Sequence, residues 1–221
     1  MKSAFKTSDN LPMTSAAPLS FSSADDSEEL ARAELYGLLA RLWLAPPDTA
    51  LLQQFALAVT QAPEAGALLE EPWLQLVGTL RATSADAAAA EHQALFQGVG
   101  KPEVFVYGSY YLAGFLNEKP LAALRTDLAA LGLSGDTSRG ETEDHVAYVF
   151  EVMRYLIAGD DMAICNLEQQ RRFFRAHVQP WVSDLCAAVA AHPRADVWRA
   201  VAGFTQAFVG VETQAFDMLE A

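Results

Sequence analysis

Apolar residues recur along this chain mainly at spacings of three and four, the period of a helix, and rarely at the alternate spacing of a half-buried strand. Leu30, Ala33, Leu35, Leu38, Leu39, Leu42 and Trp43 form one wide stripe. Asp25 and Asp26 are suited to cap that helix, and Glu28 and Glu29 complement its positive end. Pro46-Pro47 ends it, and Asp48 is placed to cap a second helix to about Thr60. Pro72 suits the first turn of a third helix carrying Trp73, Leu76, Val77 and Leu80. Ser84 can cap a fourth, ending near Phe96. The stretch from Gln97 to Gly108 breaks the pattern with glycines and a proline, and Ser109–Leu116 reads as a short helix. Pro120 opens the next one, with Leu121, Leu124, Leu128 and Leu131 on one face and Gly132 as its stop.

After a polar loop from Ser134 to Gly140, the segment Glu141–Ala158 predicts a helix with two apolar stripes. Val146, Phe150, Met153 and Ile157 make one; Val149, Val152 and Leu156 make the other. So broad an apolar surface predicts a central helix packed by several neighbours. Further helices are expected at 161–178, 180–192, 194–209 and 211–220. Val104-Phe105-Val106 is the one strand-like run, too short to found a sheet. The expected fold class is all-α, a single helical bundle of about ten helices over residues 27–221. A disordered tail is expected over residues 1–26, which Ser, Thr, Asp, Asn and two prolines interrupt.

Composition narrows the function classes. Hydrophobic residues make up 52% of the 221 and charged residues 19%, a globular balance that needs no disulfide or metal staple. The formal net charge is −13 and the pI about 4.6. Such a surface repels phosphate backbones, which argues against nucleic acid as a partner, and attracts basic peptides. No apolar core of signal-peptide type follows the N-terminus, and no run of about eighteen apolar residues occurs, so the expected location is the cytoplasm without membrane insertion. The two cysteines, Cys165 and Cys186, form no C-x-x-C unit and are expected to be buried and reduced.

Three constellations stand out. Glu141-Thr142-Glu143-Asp144-His145 packs three carboxylates and an imidazole into five residues at an expected helix start. It reads either as charge complementing the helix dipole, with His145 turned inward, or as a polar anchor at a cleft. If helical, Asp144 and His145 project about 100° apart and are poorly placed to share a metal ion. Phe105, Tyr107, Tyr110 and Tyr111 follow the irregular stretch closely, as core or as an aromatic groove for an apolar peptide face. Phe173, Phe174, His177, Pro180 and Trp181 form the third cluster.

Enzymatic readings find little support. The four histidines, His92, His145, His177 and His192, form no H-x-x-x-H. Glu91-His92 and Asp144-His145 are the best pairs for a helical metal-dependent hydrolase, but their order and spacing do not match one. Gly98-Val99-Gly100-Lys101 lacks the spacing and the Ser or Thr of a phosphate loop. No enzyme activity, metal or cofactor is expected.

Taken together, the motifs resemble the TorD/DmsD family of chaperones for twin-arginine-exported molybdoenzymes, over roughly residues 28–209. The sharpest part is EHQALFQGVGKPEVFVYGSYYLAGFL, from Glu91 to Leu116. It holds the family's Leu-Phe-x-Gly (Leu95, Phe96, Gly98), its loop proline (Pro102) and its Tyr-x-Ser-x-Tyr (Tyr107, Ser109, Tyr111). Lys119 to Leu133 is similar to the following helix. Glu141 to His145 is similar to the family's Glu-Pro-x-Asp-His element, with Thr142 where the proline usually stands. Phe174, His177 and Trp181 match a later helix.

The resemblance implies a cytoplasmic chaperone, monomeric or a domain-swapped homodimer. It binds an immature molybdoenzyme catalytic subunit, often through its twin-arginine signal peptide, and holds it until the cofactor is inserted. It implies client-binding roles for Tyr107, Ser109, Tyr111, Asp144 and His145. Chemistry extends the expected site to Tyr110, Glu141 and Glu143: carboxylates suit guanidinium groups, and tyrosines suit the apolar stretch after them. The alternatives are a helical metal-dependent hydrolase and an assembly subunit without a peptide groove.

Overall fold

The computed structural model describes residues 5–7, 27–57, 67–98, 100–135 and 140–219. In chain order these form β1 (Phe5–Thr7), α1 (Ser27–Leu44), α2 (Thr49–Leu57), α3 (Ala67–Ala82), α4 (Ala85–Phe96) and α5 (Gly108–Ala113). Then come α6 (Lys119–Ala130), β2 (Leu133–Gly135), α7 (Val146–Ala158), α8 (Leu167–His177), α9 (Val182–Ala191) and α10 (Val197–Met218). The fold is all-α, as the periodicity predicts, with ten helices among the described residues. The residues group into two compact units, one of Met1–Ala40 with Tyr107–Trp181, the other of Arg41–Val106 with Val182–Ala221.

In the second unit α10 packs along α3 and α9, with α4 beside it and α2 on α3. Trp73 sits 6.3 Å from Phe55 and 5.3 Å from Phe204, ring centre to ring centre. The Trp43 indole N–H donates to the Thr205 hydroxyl at 3.0 Å, so this buried Trp brings a satisfied polar atom with its large apolar surface. The start of α10 is capped from a distance. The Glu91 carboxylate accepts the backbone N–H groups of Asp196, Val197 and Trp198 at 2.9, 3.0 and 2.9 Å. An acid at these orphan donors satisfies them and complements the helix dipole. Its neighbour His92 is buried against Phe96 and Trp198, and burial pushes its pKa down from 6.5 to about 4.

In the first unit α7 is the central helix foreseen from its two stripes. Val146, Ala147, Tyr148, Val149, Phe150, Val152, Met153 and Leu156 are all buried. Tyr36 of α1 meets Phe150 edge-on at 5.7 Å, and α8 packs alongside. The predicted caps Asp48 and Ser84 hold, accepting from Leu51 N at 2.7 Å and Ala87 N at 3.2 Å. Gly132 takes the left-handed φ of 69° just after α6.

Several boundaries differ from the sequence reading. The helix expected from Glu141 begins only at Val146, and the one expected from 161 begins behind an Asn166 cap. Pro72 lies inside α3, not in its first turn. The two helices expected at 194–209 and 211–220 are one, α10. Gly210 does not break it, because Phe208, Val209, Glu212 and Phe216 are buried on both sides of it and packing outweighs local propensity. Val104–Val106 is not a strand. Instead β1 and β2 pair antiparallel in a two-stranded ribbon absent from the sequence reading. The rest of the expected tail over 1–26, the caps Asp25 and Asp26, and the end of α2 at Thr60 lie outside the described residues. None of the described helices is long and apolar enough to cross a membrane. Cys165 and Cys186 are buried free thiols, and burial pushes Cys186 up to about 12.

Candidate functional site

The eight candidate residues fall within the first unit. Two segments carry them, 107–111 and 141–145, and backbone contacts join them. Tyr107 and His145 form an antiparallel bridge, and Gly108 N donates to Asp144 O at 2.9 Å.

Asp144 is the organising residue. Its side chain is buried, and both oxygens are engaged: Oδ2 accepts Ser109 N at 2.8 Å, and Oδ1 accepts the Thr142 hydroxyl at 2.6 Å. Asp144 thus caps α5 from another part of the chain, a charge-assisted bond out of water's reach. Its carboxylate is turned inward, toward the Ser109 amide and the Thr142 hydroxyl. The helical geometry expected of this segment is corrected by the structure. Neither Asp144 nor His145 lies within α7, so a 100° helical offset between them does not arise. His145 is the N-cap, its Nδ1 accepting Ala147 N at 3.1 Å. Its ring is buried, edge-on to Tyr107 at 5.3 Å and 5.5 Å from Tyr148. Cap geometry explains the segment: the turn over Thr142–His145 must end before α7 can start, and His145 Nδ1 fills the capping role of a side-chain oxygen.

Thr142 supplies through its hydroxyl one of the two bonds that hold Asp144. Glu141 is exposed and accepts a hydrogen bond from the Tyr107 hydroxyl. Burial, then that bond and the charge of Glu141, push the Tyr107 pKa well above its ordinary value, so it acts as a donor at physiological pH. Glu143 is half-buried and pairs with Arg125 of α6 at 2.8 Å. That bond, as its largest cause, raises the Arg125 pKa. Of the three carboxylates, Glu141 is therefore the most open to a cationic ligand.

The tyrosines build a second layer. Tyr110 and Tyr111 meet edge-on at 5.2 Å, and Tyr111 stacks on Trp181 at 5.8 Å with planes 21° apart. Trp181 donates from its indole N–H to His177 O at 2.7 Å, though the helix ends at His177. Gly108 is needed here for its size: a Cβ would lie 3.0 Å from the Trp181 ring. His177 Nε2 lies 2.7 Å from Asp127 Oδ2. Burial nonetheless pulls the His177 pKa down, outweighing Asp127. The Ser109 hydroxyl is fully buried without a hydrogen-bond partner among the described residues.

The sequence reading passed over Leu112, Phe115 and Leu116, which are 42%, 71% and 40% exposed. Gly114 takes φ 81° and Asn117 φ 59°, two left-handed residues within four positions. They close α5 and turn the chain sharply before α6, and Phe115 and Leu116 lie exposed between them. Contiguous exposed apolar side chains of this kind mark interaction surfaces. The available signal was an apolar run interrupted by a glycine and followed by Asn117-Glu118-Lys119, a turn composition.

Glu91 and Asp144 are both committed to backbone amides, and no group of three or more His, Cys, Asp or Glu able to hold a metal is found among the described residues.

Comparison with known proteins agrees with this architecture. No curated protein matches the chain significantly. Among solved structures, a protein from Archaeoglobus fulgidus described as a candidate redox enzyme maturation protein shares the fold, with a TM-score of 0.53 and 20% identity. The match covers 88% of this chain and 98% of that one. A family model described as nitrate reductase delta subunit matches residues 62–187, which is more than half of the chain and includes the whole Tyr107–His145 constellation. On that match, the chain belongs to the nitrate reductase delta subunit family.

Proposed function

We propose that this protein is a maturation chaperone for a molybdoenzyme, binding the immature catalytic subunit and holding it in the cytoplasm until its cofactor is inserted. The observations that carry the reading are the exposed apolar segment Leu112–Leu116 and, at the start of the same helix, Tyr107 bonded to the exposed carboxylate of Glu141. Exposed apolar side chains and an exposed acid on connected segments suit a ligand that carries basic residues next to an apolar run, as a twin-arginine signal peptide does. Family membership supports this reading, and the family's description favours a nitrate reductase as the client.

Within this reading Tyr107, Tyr110, Tyr111, Glu141 and Glu143 contact the client. Ser109, Asp144 and His145 shape the scaffold that presents them. The same description, which names a subunit, favours a second reading: an assembly subunit that stays with its mature enzyme.

Calorimetric titration with N-terminal peptides of the molybdoenzyme subunits from the same genome tests the proposal. Binding selective for one peptide and weaker at higher salt is expected. Absence of binding to every peptide, with the chain co-purifying at constant ratio with a mature enzyme, would establish the second reading instead.

A further inference from the structure

We infer that the backbone edge of Leu133–Gly135 is a strand-acceptor site for an extended basic segment of a partner protein, and that the chain's own Phe5–Thr7 occupies it in the free molecule. The two strands pair antiparallel, Phe5 opposite Gly135, Lys6 opposite Ser134 and Thr7 opposite Leu133. The acceptor strand does not depend on β1 for its place. Leu133 is buried, β2 packs on α6, and Gly132 sets the turn that leads into it.

An edge held by the body of a protein and paired to one short strand offers backbone donors and acceptors that any extended segment can use. The edge also ends at the candidate site. The Glu143 side chain lies over the Gly135 backbone, its Oε1 2.5 Å from where a Cβ would stand, and Arg125 holds it there.

The occupant has a charge complementary to the Glu143 carboxylate that flanks the edge. In a chain of net charge −13, two of the four lysines, Lys2 and Lys6, lie among the first six residues, and no acid precedes Asp9. The first residues are therefore locally basic, with Phe5 between the two lysines. Identifying the displacing partner with the client rests on the function proposed above; the acceptor edge does not.

A peptide of residues 1–12 is the probe, labelled for fluorescence anisotropy. It is titrated against the unmodified full chain and against the full chain carrying Lys6→Pro with Thr7→Pro. Alternate strand residues direct their N–H toward the partner, so this pair removes a ladder donor in either register parity. The tethered segment competes at an effective concentration on the order of 1 mM, so a peptide whose intrinsic Kd is about 0.1 mM or lower should bind the released chain at least about tenfold more tightly than the unmodified one.

Location is read by disulfide trapping. A peptide with Lys6→Cys should cross-link to the released chain carrying Ser134→Cys, and a peptide with Met1→Cys should not. Equal affinity for both chains, or no binding to either, overturns the inference. A client peptide that binds both chains alike would leave the chaperone reading intact while separating this edge from it.

Discussion

The carboxylate of Asp144 accepts the backbone N–H of Ser109 at 2.8 Å, a bond between residues thirty-five positions apart. It ties the Tyr107–Tyr111 segment to the turn that starts α7, so the two motifs most distinctive in the sequence are one structural unit. The acid most suggestive of a ligand contact is the one that holds the scaffold.

Asp144→Ala is therefore expected to destabilise the protein by about 2–3 kcal/mol, the order expected for losing hydrogen bonds to a buried charge. Urea denaturation measures this. Any loss of client binding in this variant, or in Asp144→Ala with His145→Ala, would follow from a disturbed scaffold. A variant as stable as the parent would show that the Ser109 and Thr142 bonds contribute nothing net.

Glu141→Gln with Glu143→Gln is expected to leave the fold in place, since Glu141 is exposed, its bond with Tyr107 lies at the surface, and an amide oxygen at 143 can still accept from Arg125. It should weaken binding of a basic client peptide about tenfold, or about 1.4 kcal/mol, and reduce the dependence of binding on salt. Titration at two ionic strengths provides the check. Unchanged affinity and unchanged salt dependence would remove these two carboxylates from the interface.

Phe115→Ser tests the apolar segment. With the side chain 71% exposed, the change should alter stability by less than about 0.5 kcal/mol. Client affinity should fall by about tenfold or more, as expected when an aromatic anchor is removed. The pair of measurements, thermal unfolding and peptide titration, distinguishes a docking residue from a structural one.

His92 gives the pH dependence a direction. Its pKa in the folded protein is depressed from 6.5 to about 4, so the unfolded chain binds the proton more readily. The stabilisation from keeping it neutral is complete above about pH 6.5 and is lost as the pH falls from there toward about 4. Replacement by Phe, which suits the ring cluster with Phe96 and Trp198, should flatten that part of the stability curve. Chemical denaturation at pH 7 and at pH 4.5 reads it. An acid limb of the same steepness in His92→Phe would assign the loss to other groups.

Local chemistry was enough for much of the fold. The three-and-four spacing of Leu and Val marks amphipathic helices because 3.6 residues make a turn, and the caps Asp48, Ser84 and Gly132 act through bonds to residues a few positions away. The double stripe of α7 announced a helix buried on most sides, and the acidic and aromatic motifs marked the segments that form the candidate site.

Only the tertiary structure decided how those segments are used. Asp144 caps α5 and Glu91 caps α10 through partners 35 and more than 100 residues away, and no spacing along the chain reports such a pairing. Packing on both sides carried α10 through Gly210, where propensity alone favoured a break. The β1–β2 ribbon joins two three-residue strands, each too short to leave a pattern of its own. The sequence by itself determined the helices and the chemistry available. Chain folding decided which acids are buried as caps and which apolar side chains stay exposed, because burial and hydrogen bonding depend on neighbours distant in sequence.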